Sequence, residues 1–273
     1  MRHLVFAFLV PVCATLQGAS SVVDAYTRLY NFDFPGAHQV LDSYIANAPQ
    51  DPLGPSTRAA AYLFYELDRL KILQGEFLTD DKKISGDEKL TPDPKVRARF
   101  FETVNLAQKL AESRLQKQPG DPNSLFSFCI TEGLKTDYTA FVEKRQLRSL
   151  SSARKAQNYA VELLQRDPTF VDAKLTTGVT EYLVGSLPFF VRWFVKFDQT
   201  QGSKEQAVRN LEMVAQNGRY LGPFARILLS IIHLREKRVP QSVNLLEGLV
   251  RDYPGNPLLR EELQKLKALP ARK

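Results

Sequence analysis

The sequence predicts an all-α protein built from paired helices, and three observations carry that prediction. A punctuation recurs: Pro49-Gln50-Asp51-Pro52, Pro119-Gly120-Asp121-Pro122 and Pro254-Gly255-Asn256-Pro257 all read P-x-[DN]-P. A fixed spacing precedes it. Twelve positions before Pro49, Pro119, Pro168 and Pro254 stand Ala37, Ala107, Ala156 and Ser242, and eight before stand Leu41, Ala111, Ala160 and Leu246. Finally, no alternating run rich in Val, Ile or Thr stands between turn residues, so strand signals are nearly absent.

Each observation has a physical reading. The first proline of the punctuation ends one helix, Asp or Asn caps the next, and the second proline sits where a missing N–H costs nothing. Asp167-Pro168 is a partial fourth copy. A small residue followed one turn later by an apolar one lets two helices approach closely. Composition agrees: 44% hydrophobic and 25% charged residues describe a globular chain, neither disordered nor low-complexity.

The elements follow in order. Met1-Arg2-His3 is a basic start, Leu4 to Leu16 an almost unbroken apolar run, and Gln17-Gly18-Ala19-Ser20 offers small residues for cleavage. That is the form of a secretory signal peptide over residues 1–20, too short for an ordinary membrane span. Residues 21–273 then form one helical repeat domain. Periodicity and stop signals predict helix pairs at 22–31 with 34–47, 55–76 with 95–117, and 123–143 with 148–166. Further pairs are 170–197 with 203–217 and 222–236 with 239–252, and a closing helix follows at 257–268. The polar run from Thr79 to Leu90 is a solvated loop; with Gly86 as the sixth residue of a calcium loop, Lys83 would occupy a ligand position, which excludes calcium.

The repeated small, apolar and proline positions resemble the second helix of a tetratricopeptide repeat. Leu229, Ser230, Ser242, Leu246 and Leu249 match the last unit, and Ala25, Ala37, Leu41 and Pro49 the first. The pattern's aromatic position in the first helix is occupied by Arg28 in one unit and His233 in the other. The resemblance implies an α-α superhelix, a solenoid of about five helix pairs plus a closing helix, whose concave face holds a protein or peptide. The layout of Gly178, Tyr182, Leu187-Pro188, Gly202, Leu211, Gly218 and Ala225–Leu229 is similar to the C-terminal half of a eukaryotic tetratricopeptide family. That family is linked to inclusion-body clearance and the mitochondrial outer membrane, and no functional residue is carried over from it.

Catalytic patterns are missing: no nucleophile elbow, phosphate-binding glycine loop, dinucleotide fingerprint or HExxH helix occurs. Removing residues 1–19 takes Arg2 and no acid, so 36 basic residues face 30 acidic ones and the formal charge falls from +7 to +6. Cys129 then remains as the only cysteine, in an apolar helical stretch that predicts a buried thiol. His38 and His233 fall within predicted helices and read as packed or surface histidines. The sequence therefore predicts no enzyme, no cofactor and no metal.

Two features point to contacts with other molecules. Phe189, Phe190, Trp193, Phe194 and Phe197 form an apolar stripe on a helix whose Arg192 and Lys196 share the other side. Core packing is the plain reading of that stripe; docking onto a partner or a membrane surface is the functional one. Lys144, Arg145, Arg148, Arg154 and Lys155 form a basic patch at a helix junction, suited to an acidic partner or anionic membrane surface. An export signal and the lack of a recognised binding fold argue against nucleic acid. The expected function is a non-catalytic protein- or peptide-binding scaffold, periplasmic or secreted; the alternative is a membrane-surface assembly protein docking through 187–197.

Overall fold

A computed structural model describes residues 21–80, 82, 90–186 and 203–268, and every regular element among them is helical. In chain order the α-helices are α1 (Val22–Tyr30), α2 (Phe34–Asn47), α3 (Leu53–Arg69), α4 (Gly75–Thr79), α5 (Pro94–Lys117) and α6 (Pro122–Asp137). They continue with α7 (Gln146–Arg166), α8 (Lys174–Ser186), α9 (Lys204–Asn217), α10 (Gly222–Arg235), α11 (Val239–Asp252) and α12 (Pro257–Lys267). A π-helical turn, Tyr138–Val142, extends α6, and a 3-10 turn, Val171–Ala173, leads into α8. Five antiparallel pairs pack in sequence (α1 with α2, α3 with α5, α6 with α7, α8 with α9, α10 with α11), and α12 closes on α11. The architecture is an all-α helical superhelix.

The punctuation works as its chemistry predicts. The carboxylate of Asp121 accepts the Ser124 amide at 2.9 Å, and Asn256 Oδ1 accepts that of Leu259 at 3.2 Å, with Pro122 and Pro257 opening α6 and α12. In the first copy α3 begins one residue later, after Pro52, and Asp51 accepts the Leu53 amide at 3.1 Å. All eight spaced positions, from Ala37 and Leu41 to Ser242 and Leu246, are buried. At α8–α9, Gly178 allows a close approach: a Cβ there would lie 3.2 Å from the Ala207 carbonyl oxygen and 3.1 Å from Leu211, tighter than ordinary contact.

Four helices that open a pair end in the same unadvertised turn. Phe32, Lys71, Lys144 and Lys237 follow α1, α3, the extended α6 and α10 with φ of 59°, 61°, 57° and 61°. The next amide donates five residues back in three of them: Asp33 to Arg28, Ile72 to Leu67, Arg238 to His233. This is the Schellman arrangement, normally the place of glycine. After α6 the bond is Arg145 to Thr139, six residues back, because the π turn inserts an extra residue.

That turn corrects the predicted 55–76 helix. α3 stops at Arg69, Ile72 is buried after the left-handed Lys71, and a detour through α4 separates α3 from α5. The return is pinned by Glu66, fully buried, whose carboxylate takes two hydrogen bonds from Arg69 (2.9 and 2.8 Å) and one from the Asp93 amide (2.8 Å). Arg69 also donates to the Thr91 carbonyl at 2.6 Å. Arg28, at the position expected to be aromatic, lies on the surface and pairs with Asp33 at 2.6 Å; Tyr26 and Tyr30 face inward instead.

The array curves until its ends meet. The Tyr30 hydroxyl donates to the Tyr220 carbonyl at 2.9 Å, and Asn256 Nδ2 donates to the Tyr30 carbonyl at 2.9 Å. Gly255 N–H donates to Asn31 Oδ1 at 3.0 Å, an approach that a side chain on Gly255 would block. Tyr26 packs on Tyr220, Phe126 on Tyr220 and Phe170, and Phe64 on Phe224, with ring centroids 4.8–5.9 Å apart. The α4 segment adds a second contact across the array, through Arg235 to the Leu78 carbonyl at 3.1 Å.

Candidate functional site

Those aromatic rings line the side that α1, α3, α6 and α10 turn toward one another; Tyr26, Phe126 and Tyr220 are buried, whereas Phe64, Phe170 and Phe224 are partly exposed. The turn preceding α10 is fixed there by Asp172, a buried carboxylate that accepts the amides of Arg219 (2.8 Å), Tyr220 (2.9 Å) and Leu221 (2.7 Å).

The reactive side chains are spent on packing. Cys129 is buried beside Thr176 Oγ1 at 3.1 Å, and burial pushes its thiol up to about 11, so it is no thiolate at neutral pH. His38 lies against the Tyr62 ring at 4.6 Å; burial, with Arg58 second, lowers its pKa. Burial and then Arg238 do the same to His233. Among the described residues no group of three His, Cys, Asp or Glu side chains could hold a metal ion, and no helix is long and apolar enough to cross a membrane.

The signal segment, the stripe of Phe189, Phe190, Trp193, Phe194 and Phe197, and most of the 79–90 loop lie outside the described residues. The basic patch lies within them. Lys144 is half-buried in its left-handed turn, while Arg145, Arg148, Arg154 and Lys155 are exposed. Helical geometry, about 100° per residue, puts Leu147 with Arg154 and Arg148 with Lys155 as two i, i+7 pairs within about 120° of the circumference of α7. This arc faces away from the buried Ser149, Ala156, Ala160 and Leu163.

Leu147 is the residue the sequence reading missed. It is 86% exposed, the highest value among the exposed large hydrophobic residues. Its signal was available: it stands two residues from Ser149, on the wrong side of the helix for the buried stripe. Arg97 joins the surface by tertiary contact alone, 3.2 Å from the Glu143 carboxylate, which Arg145 also approaches at 3.9 Å. No Asp or Glu occurs between Glu143 and Glu162, and Glu162 is already paired with Arg166 at 3.0 Å. Arg148 and Lys155 make no ion pair among the described residues, and the start of α7, with Arg145 at the N-cap and no side-chain cap, adds the positive end of its dipole.

Asp137 is half-buried at the end of α6 without a side-chain hydrogen bond among the described residues, and desolvation pushes its carboxyl up to about 7. The adjoining Tyr138 ring stacks on Phe100 at 5.1 Å, and burial pushes its hydroxyl up to about 12.

No family model matches the chain, and no curated protein is significantly similar to it in sequence.

Proposed function

We propose that the protein is a non-catalytic scaffold, a degenerate tetratricopeptide array that holds a protein or peptide in an exported compartment. The observation that carries this reading is the superhelix of helix pairs itself, together with an outer face of α7 where the exposed Leu147 stands near Arg148 and Lys155. The repeat pattern places a holding surface on the concave face of the array, and the outer face of α7 is a second candidate. Exposed apolar groups beside charged ones are the usual anatomy of a protein-binding patch. Export rests on the signal-like residues 1–20.

Affinity capture from envelope extract tests the function. A stoichiometric protein partner retained after detergent treatment is the expected result. Recovery with lipid alone, lost on adding detergent, would overturn the scaffold in favour of a membrane-surface protein. Mass measurement of the recovered chain tests export: loss of about 20 N-terminal residues is expected. An intact chain recovered from the cytoplasm would contradict it.

A further inference from the structure

We infer that the segment from Leu70 to Asp80, which carries α4, is a strap seated on the array's own binding face, and that a partner segment of the form Gly-Glu-x-Leu displaces it. This rests on the scaffold reading and names the seat and the partner chemistry. The chain is much longer here than a turn requires. Residues 70–93, 24 in all, join α3 to α5, whereas three residues join α1 to α2 and three join α10 to α11. The return into α5 is made without the strap, because Glu66 takes both Arg69 and the Asp93 amide. The extra chain crosses to the far end of the array instead.

The strap meets two helices there. Arg235 Nη1 of α10 donates to the Leu78 carbonyl at 3.1 Å, and Lys265 Nζ of α12 stands 3.9 Å from Glu76 and 2.9 Å from Glu262. Gly75 permits the approach to α12, since a Cβ on it would lie 2.5 Å from Glu262 Oε2. On α10, Phe224, Leu228 and Arg235 fall within about 40° of one another and form one stripe. Phe64 of α3 meets that stripe at one end, 5.7 Å ring to ring from Phe224, and the strap meets it at the other. Phe64, Phe224 and Leu228 are only partly buried, so apolar surface remains between the two contacts. This is the side turned toward α3, where the repeat pattern places a holding surface.

The strap is held more lightly than the seam. Its ion pair is long and exposed, with Glu76 62% and Lys265 43% accessible, and such pairs hold weakly. The hydrogen bonds of Tyr30 and Asn256 at the seam are buried. Local opening therefore frees the strap while the array stays closed. The occupant of the seat is itself a peptide, and its sequence defines what replaces it. A glycine allows the approach to Glu262, a glutamate faces Lys265, and two residues on an apolar residue, half-buried as Leu78 is, presents its carbonyl to Arg235. A partner supplying these in the same order competes with a strap whose tether gives it a high local concentration.

The test is fluorescence anisotropy with a labelled peptide of residues 70–80, added to the purified protein and to a loosened variant. The loosened variant, Gly75→Leu with Glu76→Ala, crowds Glu262 and leaves Lys265 to the peptide. It is expected to bind the peptide about tenfold more tightly than the parent, because the tethered strap no longer competes. Adding Lys265→Glu to it should weaken binding about tenfold, and a peptide carrying Glu76→Lys should regain most of that loss. Arg235→Ala should also weaken binding, and a peptide of scrambled order should not bind. In the unaltered protein, amides of α4 are expected to exchange hydrogen at least about a hundredfold faster than those of α1. An unchanged helical circular dichroism spectrum verifies the fold of each variant.

Equal affinity of the parent and the loosened variant for the peptide would overturn the assignment, as would no binding to either. Equal protection of α4 and α1 in the unaltered protein would overturn it without any variant. A further refutation is sedimentation of the loosened variant with phosphatidylglycerol-containing vesicles, with no peptide bound. If a partner captured from envelope extract is retained in full by the loosened variant carrying Arg235→Ala and Lys265→Glu, the scaffold stands and this seat falls.

Discussion

The seam where the array closes and the turn between α6 and α7 are made of similar parts and put to opposite ends. At the seam every polar group named above has a partner. Tyr30 donates and accepts, Asn256 caps α12 while donating to Tyr30, and Asp172 takes three amides. At the α6–α7 turn an aspartate goes without a hydrogen bond, one carboxylate serves two arginines, and a leucine is left in water. The matching turn between α10 and α11 narrows the point. It has the same left-handed lysine, the same arginine at the N-cap and, in Glu236, a carboxylate likewise shared by two cations, Lys204 at 3.3 Å and Arg238 at 3.0 Å, so what sets the α6–α7 turn apart is the exposed Leu147 and the unbonded Asp137. At the seam burial goes with pairing, because an unmet polar group there is costly. A surface tolerates unmet groups, so a concentration of them marks a place where the fold is not the only constraint.

The largest effect is expected at the seam. Phe126→Ala removes a ring packed between Phe170 and Tyr220 and should cost about 3–5 kcal/mol in denaturant unfolding. A loss under about 1 kcal/mol would mean that the ends are only touching. Asp172→Ala should cost about 3 kcal/mol, since it strands three amides, two of them on buried residues. Asp172→Asn, keeping one acceptor oxygen, should cost less.

The α6–α7 region should respond in the other direction. Burial raises the folded pKa of Asp137 to about 7 from the ordinary 3.8, so the folded state binds the proton more tightly than the unfolded chain. Stability associated with Asp137 is thus complete below the unfolded value, declines as pH rises toward 7, and is lost above it. Asp137→Asn should therefore stabilise the protein by about 2 kcal/mol at pH 8 and leave it nearly unchanged at acid pH. Equal unfolding midpoints at pH 8 would show that the carboxyl is solvated after all.

Smaller changes separate turn geometry from surface charge. Lys237→Gly places glycine at a left-handed position and should stabilise by about 0.5–1 kcal/mol, measured by thermal unfolding. Leu147→Ala should shift stability by less than about 0.5 kcal/mol, because its side chain leaves little in the core. A substantial loss there would make Leu147 a packing residue and dissolve the contrast between the two regions.

The sequence by itself determined the helical class, the helix pairs and the caps. Those signals are local: a proline, an Asp or Asn one turn from an amide, and a small residue at a fixed offset act within a few residues of themselves. Ala156 could be assigned to a helix contact for that reason, as could Asp121 and Asn256 to their caps. The left-handed turns were not legible, because Phe32, Lys71, Lys144 and Lys237 carry no glycine to announce them. The basic residues of α7 were legible as a cluster, but their neutralisation was not, since Arg97 reaches Glu143 from another helix. Closure of the array was also invisible. It depends on Tyr30 meeting Tyr220 and on Gly255 admitting Asn31, pairs some 190 and 224 residues apart. Only tertiary structure decides such contacts, because the rotation from one helix pair to the next accumulates over the whole array before its ends can meet.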